Sequence, residues 1–477
     1  MTVHRRKNTE VLLRGFMAAV LMLGAFSLSA CQTPGQPLFK PGQTVSRQPA
    51  QRPPYTRFPN QQRAQSGLPP LVGTPQGTVQ SQTQAVLPRA EYRPVVQPDG
   101  VTRVGLLLPL TGANAALATD MLNAAQLALF DFAGEAFELI VQDTMGQPDL
   151  AVEAADKAIS NGASLILGPL LSTSVEAVTP LVRNAGINSI AFSNNRAVAS
   201  DNVFLMGFMP GEEVERVIAY SASRGVTDFA VLAPDNAYGQ MVLESARHAI
   251  AARGGYLARV ALYDPYTEDF TQIIRDLGNY DERRAALLAQ RKELEGMDDQ
   301  LSRQALKRLE NLQTIGDLPY TALLIAEGGK RLQTIAAHLP FYDIDPKKVR
   351  MLGTGQWDVA GIGSEPALVG GWYAAPDPTA RENFIERFRQ TYGRRPARLA
   401  TLAYDAVALA AVLGRAEGGP LFDAATLTAE SGYVGRDGIF RFLPDGGNQR
   451  GLAVMEVQER STRVIAPPAD SFENVTN

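Results

Sequence analysis

Val104-Gly105-Leu106-Leu107-Leu108-Pro109, running on into Leu110-Thr111-Gly112, is the stretch from which the fold is read. It is a short, continuous apolar run closed by a turn, the pattern of a strand buried on both faces. The segments downstream keep one rhythm. Met121–Phe132 reads as an Ala/Leu-rich helix, Phe137–Gln142 as a strand, and Asp149–Ser160 as a helix closed by Asn161-Gly162. Ser164–Leu167, Ser172–Asn184 and Ile187–Phe192 repeat the strand, helix and strand. This alternation predicts a parallel, doubly wound α/β sheet.

A second cycle follows. Helices over Gly211–Arg224 and Tyr238–Arg253 alternate with strands over Phe229–Ala233 and Leu257–Leu262, and Phe270–Leu277 starts a further helix. After an interruption come strands at Ala322–Ala326, Val349–Leu352 and Gly371–Ala375, with a helix at Lys330–Leu339. Helices over Arg381–Tyr392 and Leu399–Arg415 and strands over Gly438–Phe442 and Leu452–Val457 complete the pattern. Two successive cycles with added elements predict two lobes between which the chain crosses.

Upstream, the sequence changes character. His4-Arg-Arg-Lys7 is basic, Gly15–Ala30 is apolar, and Leu28-Ser29-Ala30-Cys31 ends the run. These are the parts of a secretory signal, and the run is shorter than the roughly 20 residues a membrane-spanning helix needs. The tetrapeptide resembles the lipobox of bacterial lipoproteins, which implies a signal peptide over 1–30 and lipid on Cys31, the only cysteine of the chain. In the Gram-negative sorting pattern, Gln32 in place of Asp implies an outer-membrane anchor facing the periplasm. Residues 31–100 are rich in Pro and Gln, poor in large apolar groups and locally basic. Such a stretch cannot bury enough apolar surface to offset its ordering entropy, and it reads as an extended tether. The globule then spans 101–465, with a tail at 466–477.

Composition narrows the function classes. The chain has 477 residues, 45% of them hydrophobic, and a net charge of -4 that gives no general reason to expect nucleic acid. Three histidines and one cysteine leave little material for a metal site. No GxSxG elbow, HExxH, P-loop or GxGxxG occurs, so neither an enzyme nor a cofactor is expected. Glu212-Glu213 reads as a solvated first turn of a helix.

Several short motifs, in this order, resemble the leucine/isoleucine/valine-binding type of periplasmic receptor. They are Pro109-Leu-Thr-Gly112, Gly168-Pro169 with Ser172-Thr-Ser174, Asp235 with Tyr238-Gly239, Tyr404-Asp-Ala-Val407, and Gly438-Ile-Phe-Arg-Phe442 with Asp445-Gly446. The resemblance implies a two-lobed type I periplasmic-binding-protein fold. Its first lobe would be near 101–207 and 376–432, and its second near 208–375 and 433–465. The cleft would lie outside the carboxyl ends of the strands, where ligands of open α/β sheets sit. Thr111, Ser172, Thr173, Ser193, Asn194, Asn195 and Tyr238 are candidate cleft residues. The hydroxyls at a helix start suit an anion and suit ordinary capping equally. Receptors of this type hold the ligand ammonium with a second-lobe acid beside an aromatic, and those positions fall near Gly355 and Gly328-Gly329. Neither supplies charge or ring, leaving Glu327 and Asp358 as neighbouring substitutes.

Residues 278–317 interrupt the rhythm with alternating charges and leucines at helical spacing. They predict an amphipathic helix, or a helical hairpin broken near Gly296. Its stripe, including Leu294, Leu301 and Leu309, either lies on its own lobe or docks a protein partner. The lipobox, tether and insertion together resemble the lipoproteins that activate penicillin-binding proteins. That resemblance implies a regulator of peptidoglycan synthesis whose partner is a peptidoglycan synthase. The alternative is the solute receptor of an ABC importer for branched-chain or other amino acids.

Overall fold

Strand β1 (Thr102–Leu108) is the apolar run with which the reading began, and it lies inside a parallel sheet in the computed structural model, which describes residues 99–472. The signal peptide, Cys31, most of the tether and the end of the tail lie outside the described residues. The chain continues through α1 (Ala115–Phe132), β2 (Phe137–Asp143), α2 (Pro148–Ser160), β3 (Leu165–Leu167), α3 (Ser172–Ala185), β4 (Asn188–Ala191) and β5 (Val203–Leu205). The sheet order is β2-β1-β3-β4-β5, every pair parallel. Val104, Leu106 and Leu108 pack with α1 on one face, whereas Leu107 joins the alanines of α2 on the other. Both faces are covered, so both alternating sets of side chains must be apolar. A Cβ on Gly105 would lie 2.9 Å from the Cβ of Ala158, and this absent side chain lets α2 approach the sheet.

The second lobe begins with α4 (Pro210–Ser223), β6 (Asp228–Pro234), α5 (Ala237–Ala251), β7 (Tyr256–Tyr263), α6 (Thr271–Leu277), α7 (Tyr280–Glu295) and α8 (Gln300–Leu309). Next come β8 (Ala322–Ile325), α9 (Gly329–His338), β9 (Arg350–Gly353) and β10 (Trp372–Ala375). The chain returns to the first lobe for α10 (Thr379–Tyr392), α11 (Ala400–Leu413), α12 (Ala424–Leu427), β11 (Tyr433–Gly435), β12 (Gly438–Phe442) and β13 (Asn448–Arg450). It then crosses back to add β14 (Ala453–Val457) and β15 (Thr462–Ala466), giving the order β15-β14-β10-β9-β8-β6-β7. Strands β7, β6, β8, β9 and β10 run parallel, and β14 and β15 are antiparallel additions at the edge. The architecture is the two-lobed α/β fold that the alternation implies.

One boundary differs from the sequence reading. Residues 433–450 are expected with the second lobe, but β11–β13 form a separate three-stranded sheet. Phe440 and Phe442 enter the core of the first lobe, and Asn448 and Arg450 donate hydrogen bonds to the carbonyls of Gly207 and Met206. The last crossing therefore follows Arg450. Position along the chain gives no hint of this, because short antiparallel strands carry no partner information in their pattern.

Candidate functional site

The loop after β4 and the start of α4 meet the start of α5, after β6, and the loop after β9 in a cleft between the lobes. Asn236 caps α5 by accepting the Gly239 N–H at 3.0 Å, which sets Tyr238 in the first turn. The Tyr238 hydroxyl pairs with Thr354 Oγ1 at 2.9 Å, and burial raises its pKa. A cavity of about 190 Å³ is lined by Asn194, Phe208, Glu213, Tyr238, Gln356 and Arg398, with Asp358 at its edge. This is smaller than the roughly 300 Å³ at which drug-sized pockets begin, so it suits a small solute.

Glu213 was read as solvated and is instead buried, at 6% exposure. Its helix begins where the chain crosses from the first lobe, and its first turn faces the cleft. Glu213 Oε2 accepts the Gly355 N–H at 2.8 Å, and a Cβ on residue 355 would stand 2.3 Å from Oε1. The glycine that removes the expected acid thus leaves room for another carboxylate. Glu213 has no ion pair among the described residues. Burial pushes its pKa to about 7; the Gly355 N–H and Arg398 oppose this, and Asp358 adds to it. A signal was present in the sequence: Glu213 lies four and eight residues before Val217 and Ser221, on the apolar face of α4.

The two substitute acids are already engaged. Asp358 accepts Arg381 Nη2 at 2.7 Å and Arg398 Nε at 3.1 Å. Arg398 also meets the fully buried Asp437 at 3.0 Å. For Asp437, burial alone would raise the pKa, but Arg398 and Arg450 outweigh it and hold the carboxyl low. Glu327 accepts the Tyr263 hydroxyl at 2.6 Å and Arg331 Nε at 3.0 Å. Neither acid is free for an incoming ammonium.

Of the remaining candidates, only Asn194 and Tyr238 join the cavity wall with Asp358. Thr111 donates to Asp143 at 2.7 Å, Ser193 accepts the Asn195 N–H, and Asn195 caps a short turn. These are local roles. Ser172 is half-buried and Thr173 exposed at the start of α3; the buried hydroxyl of that turn is Ser174. The insertion forms a helical hairpin, α7 and α8, with Arg291 bonded to the carbonyls closing α8. Leu287 is fully buried, Leu294 and Leu309 are half-buried, and Leu301 is 76% exposed, so the stripe is split between packing and solvent.

Comparison with known proteins agrees with this geometry. The chain belongs to the periplasmic binding protein family, whose model matches residues 101–462. The fold is that of a non-catalytic solute receptor, and the chain is a periplasmic protein. It is 24% identical over 176 residues to an uncharacterized protein of Rickettsia prowazekii, covering 37% of this chain and 47% of that one. It is 28% identical over 116 residues to the Leu/Ile/Val-binding protein BraC3 of Rhizobium johnstonii, covering 23% and 31%. The matches therefore span less than half the length of these curated relatives. A branched-chain amino acid ABC transporter periplasmic ligand-binding protein from Burkholderia xenovorans shares the fold. Its TM-score is 0.58 at 16% identity, covering 78% of this chain and 97% of that one.

These findings correct the functional reading. The Rhizobium and Burkholderia proteins are a leucine-type and a branched-chain amino-acid binding protein, not activators of penicillin-binding proteins. The peptidoglycan synthase as partner and the role in peptidoglycan synthesis fall with that resemblance. It rested on the lipobox, tether and insertion, which carry no information about what the cleft holds.

Proposed function

We propose that this chain is the solute-binding receptor of an ABC transporter, taking a small amino acid between its lobes and passing it to the transporter's membrane subunits. The globule over 101–465 is the receptor, and the segment over 31–100 its tether. The observation that carries the reading is Glu213, a buried carboxylate that forms no ion pair among the described residues, at the wall of a small interlobe cavity. A buried charge calls for a partner, and a ligand ammonium supplies one. The names of the Rhizobium and Burkholderia relatives support the same class of ligand. Asn194, Gln356 and the Tyr238–Thr354 hydroxyl pair supply further polar groups. Leu28-Ser-Ala-Cys31 followed by Gln32 supports a lipid anchor on Cys31 in the outer membrane.

A thermal-shift panel of the common amino acids tests this. A ligand at a hundredfold excess over its Kd adds about 2.7 kcal/mol of stability. At least one amino acid should give that shift in the wild type, and the shift should be lost in Glu213→Gln. No shift with any amino acid would refute the reading.

A further inference from the structure

A second and larger cavity, of about 380 Å³, shares Asp358 and Arg398 with the cleft as a common wall and opens between other parts of the two lobes. Its apolar lining comes from Phe384 and Ile385 of α10 and from Val359 and Ile362 of the loop after β9. Its charged lining is one-sided. Arg381, Arg395, Arg398 and Arg460 face a single acid, Asp358. Arg381 and Arg398 are neutralised by Asp358 and by Asp437 behind it. Arg395, from the first lobe, and Arg460, from the β14–β15 turn of the second, are exposed and have no ion pair among the described residues. The cavity thus holds two uncompensated positive charges, one from each lobe.

One donor of this lining is also under-used: Arg381 Nη1 makes only a 3.6 Å ion pair with Asp437. A guanidinium presents a planar fork that matches carboxylate and phosphate oxygens. Two such forks, one from each lobe, in a cavity that also carries apolar lining match a ligand of charge near -2 with a short apolar body. The amino-acid cleft has the opposite character, since its free charge is the carboxylate of Glu213.

We propose that this second cavity binds a small dianion of the phosphomonoester or dicarboxylate type between Arg395 and Arg460, joining the lobes independently of the solute in the cleft. The test is isothermal titration of the full-length lipoprotein in detergent with inorganic phosphate, phenyl phosphate, succinate and, as a neutral control, benzyl alcohol. One of the three anions should bind with a Kd below about 1 mM, and benzyl alcohol should not bind. Which anion binds separates the phosphate source from the dicarboxylate source. Arg395→Gln and Arg460→Gln should each weaken binding about tenfold, roughly 1.4 kcal/mol. Neither exposed side chain is needed for folding. Affinity should fall as salt rises, and Tyr238→Ala should leave it unchanged. Failure of every anion to bind below about 10 mM would overturn the proposal. So would binding that survives both arginine substitutions, or binding that Tyr238→Ala removes, since the anion would then lie in the cleft.

Discussion

Replacing Glu213 by Gln should change the pH dependence of both stability and ligand affinity, in opposite directions. In the folded protein without ligand, burial raises the Glu213 pKa from 4.5 to about 7. The folded state therefore holds this proton more tightly than the unfolded chain does. Its contribution is fully present below pH 4.5, declines as pH rises through 7, and is constant above that. At about 1.4 kcal/mol per pH unit, the shift corresponds to about 3 kcal/mol across the window. Wild type and Glu213→Gln should thus be similar near pH 4.5, while the variant should be the more stable by about 3 kcal/mol at pH 8. A ligand ammonium reverses the preference, because it needs the ionised acid. About a tenth of Glu213 is ionised at pH 6 and about nine-tenths at pH 8, so wild-type affinity should rise roughly tenfold between them. Urea unfolding in the absence of ligand and calorimetric titration with it, each at several pH values, read the two effects. Parallel stability profiles for the two proteins would show that Glu213 does not titrate in this window and would refute the reasoning.

Further outcomes follow from the packing. Arg398→Ala leaves Asp437, fully buried, short of its closest cation and should destabilise the protein by about 3–5 kcal/mol in chemical denaturation. Leu287→Ala should cost about 2–5 kcal/mol because its side chain is fully buried. Leu301→Ser, on the solvent side of the same hairpin, should stay within about 0.5 kcal/mol of wild type. Cys31→Ser should abolish palmitate labelling and release the protein from membranes; retained label would remove the proposed anchor.

The layers of the fold were legible because both faces of each parallel sheet are covered. Continuous apolar strands such as Val104–Leu108 and alanine-rich helices such as 151–158 then leave a direct trace in the sequence. Short strands without that trace, Val203–Leu205 and Thr462–Ala466, were not. The site was only half legible. Asn194 and Tyr238 could be found from the loops that follow strands, yet the acid of the cleft stood on a helix whose first turn looks solvated. The Gly355 N–H reaches Glu213 across 142 residues, a contact that leaves no local pattern, and the one local trace was the place of Glu213 on the buried face of α4. The same holds for Asp358, which looks free in sequence and is engaged by two arginines of the other lobe.

A crystal structure of the protein with the amino acid that gives the largest thermal shift tests the central claim most directly. The ligand should lie between the lobes, with its ammonium within hydrogen-bond distance of a Glu213 carboxylate oxygen and Tyr238 and Gln356 against it. A ligand outside this cavity, or one that turns its carboxylate toward Glu213, would contradict the account.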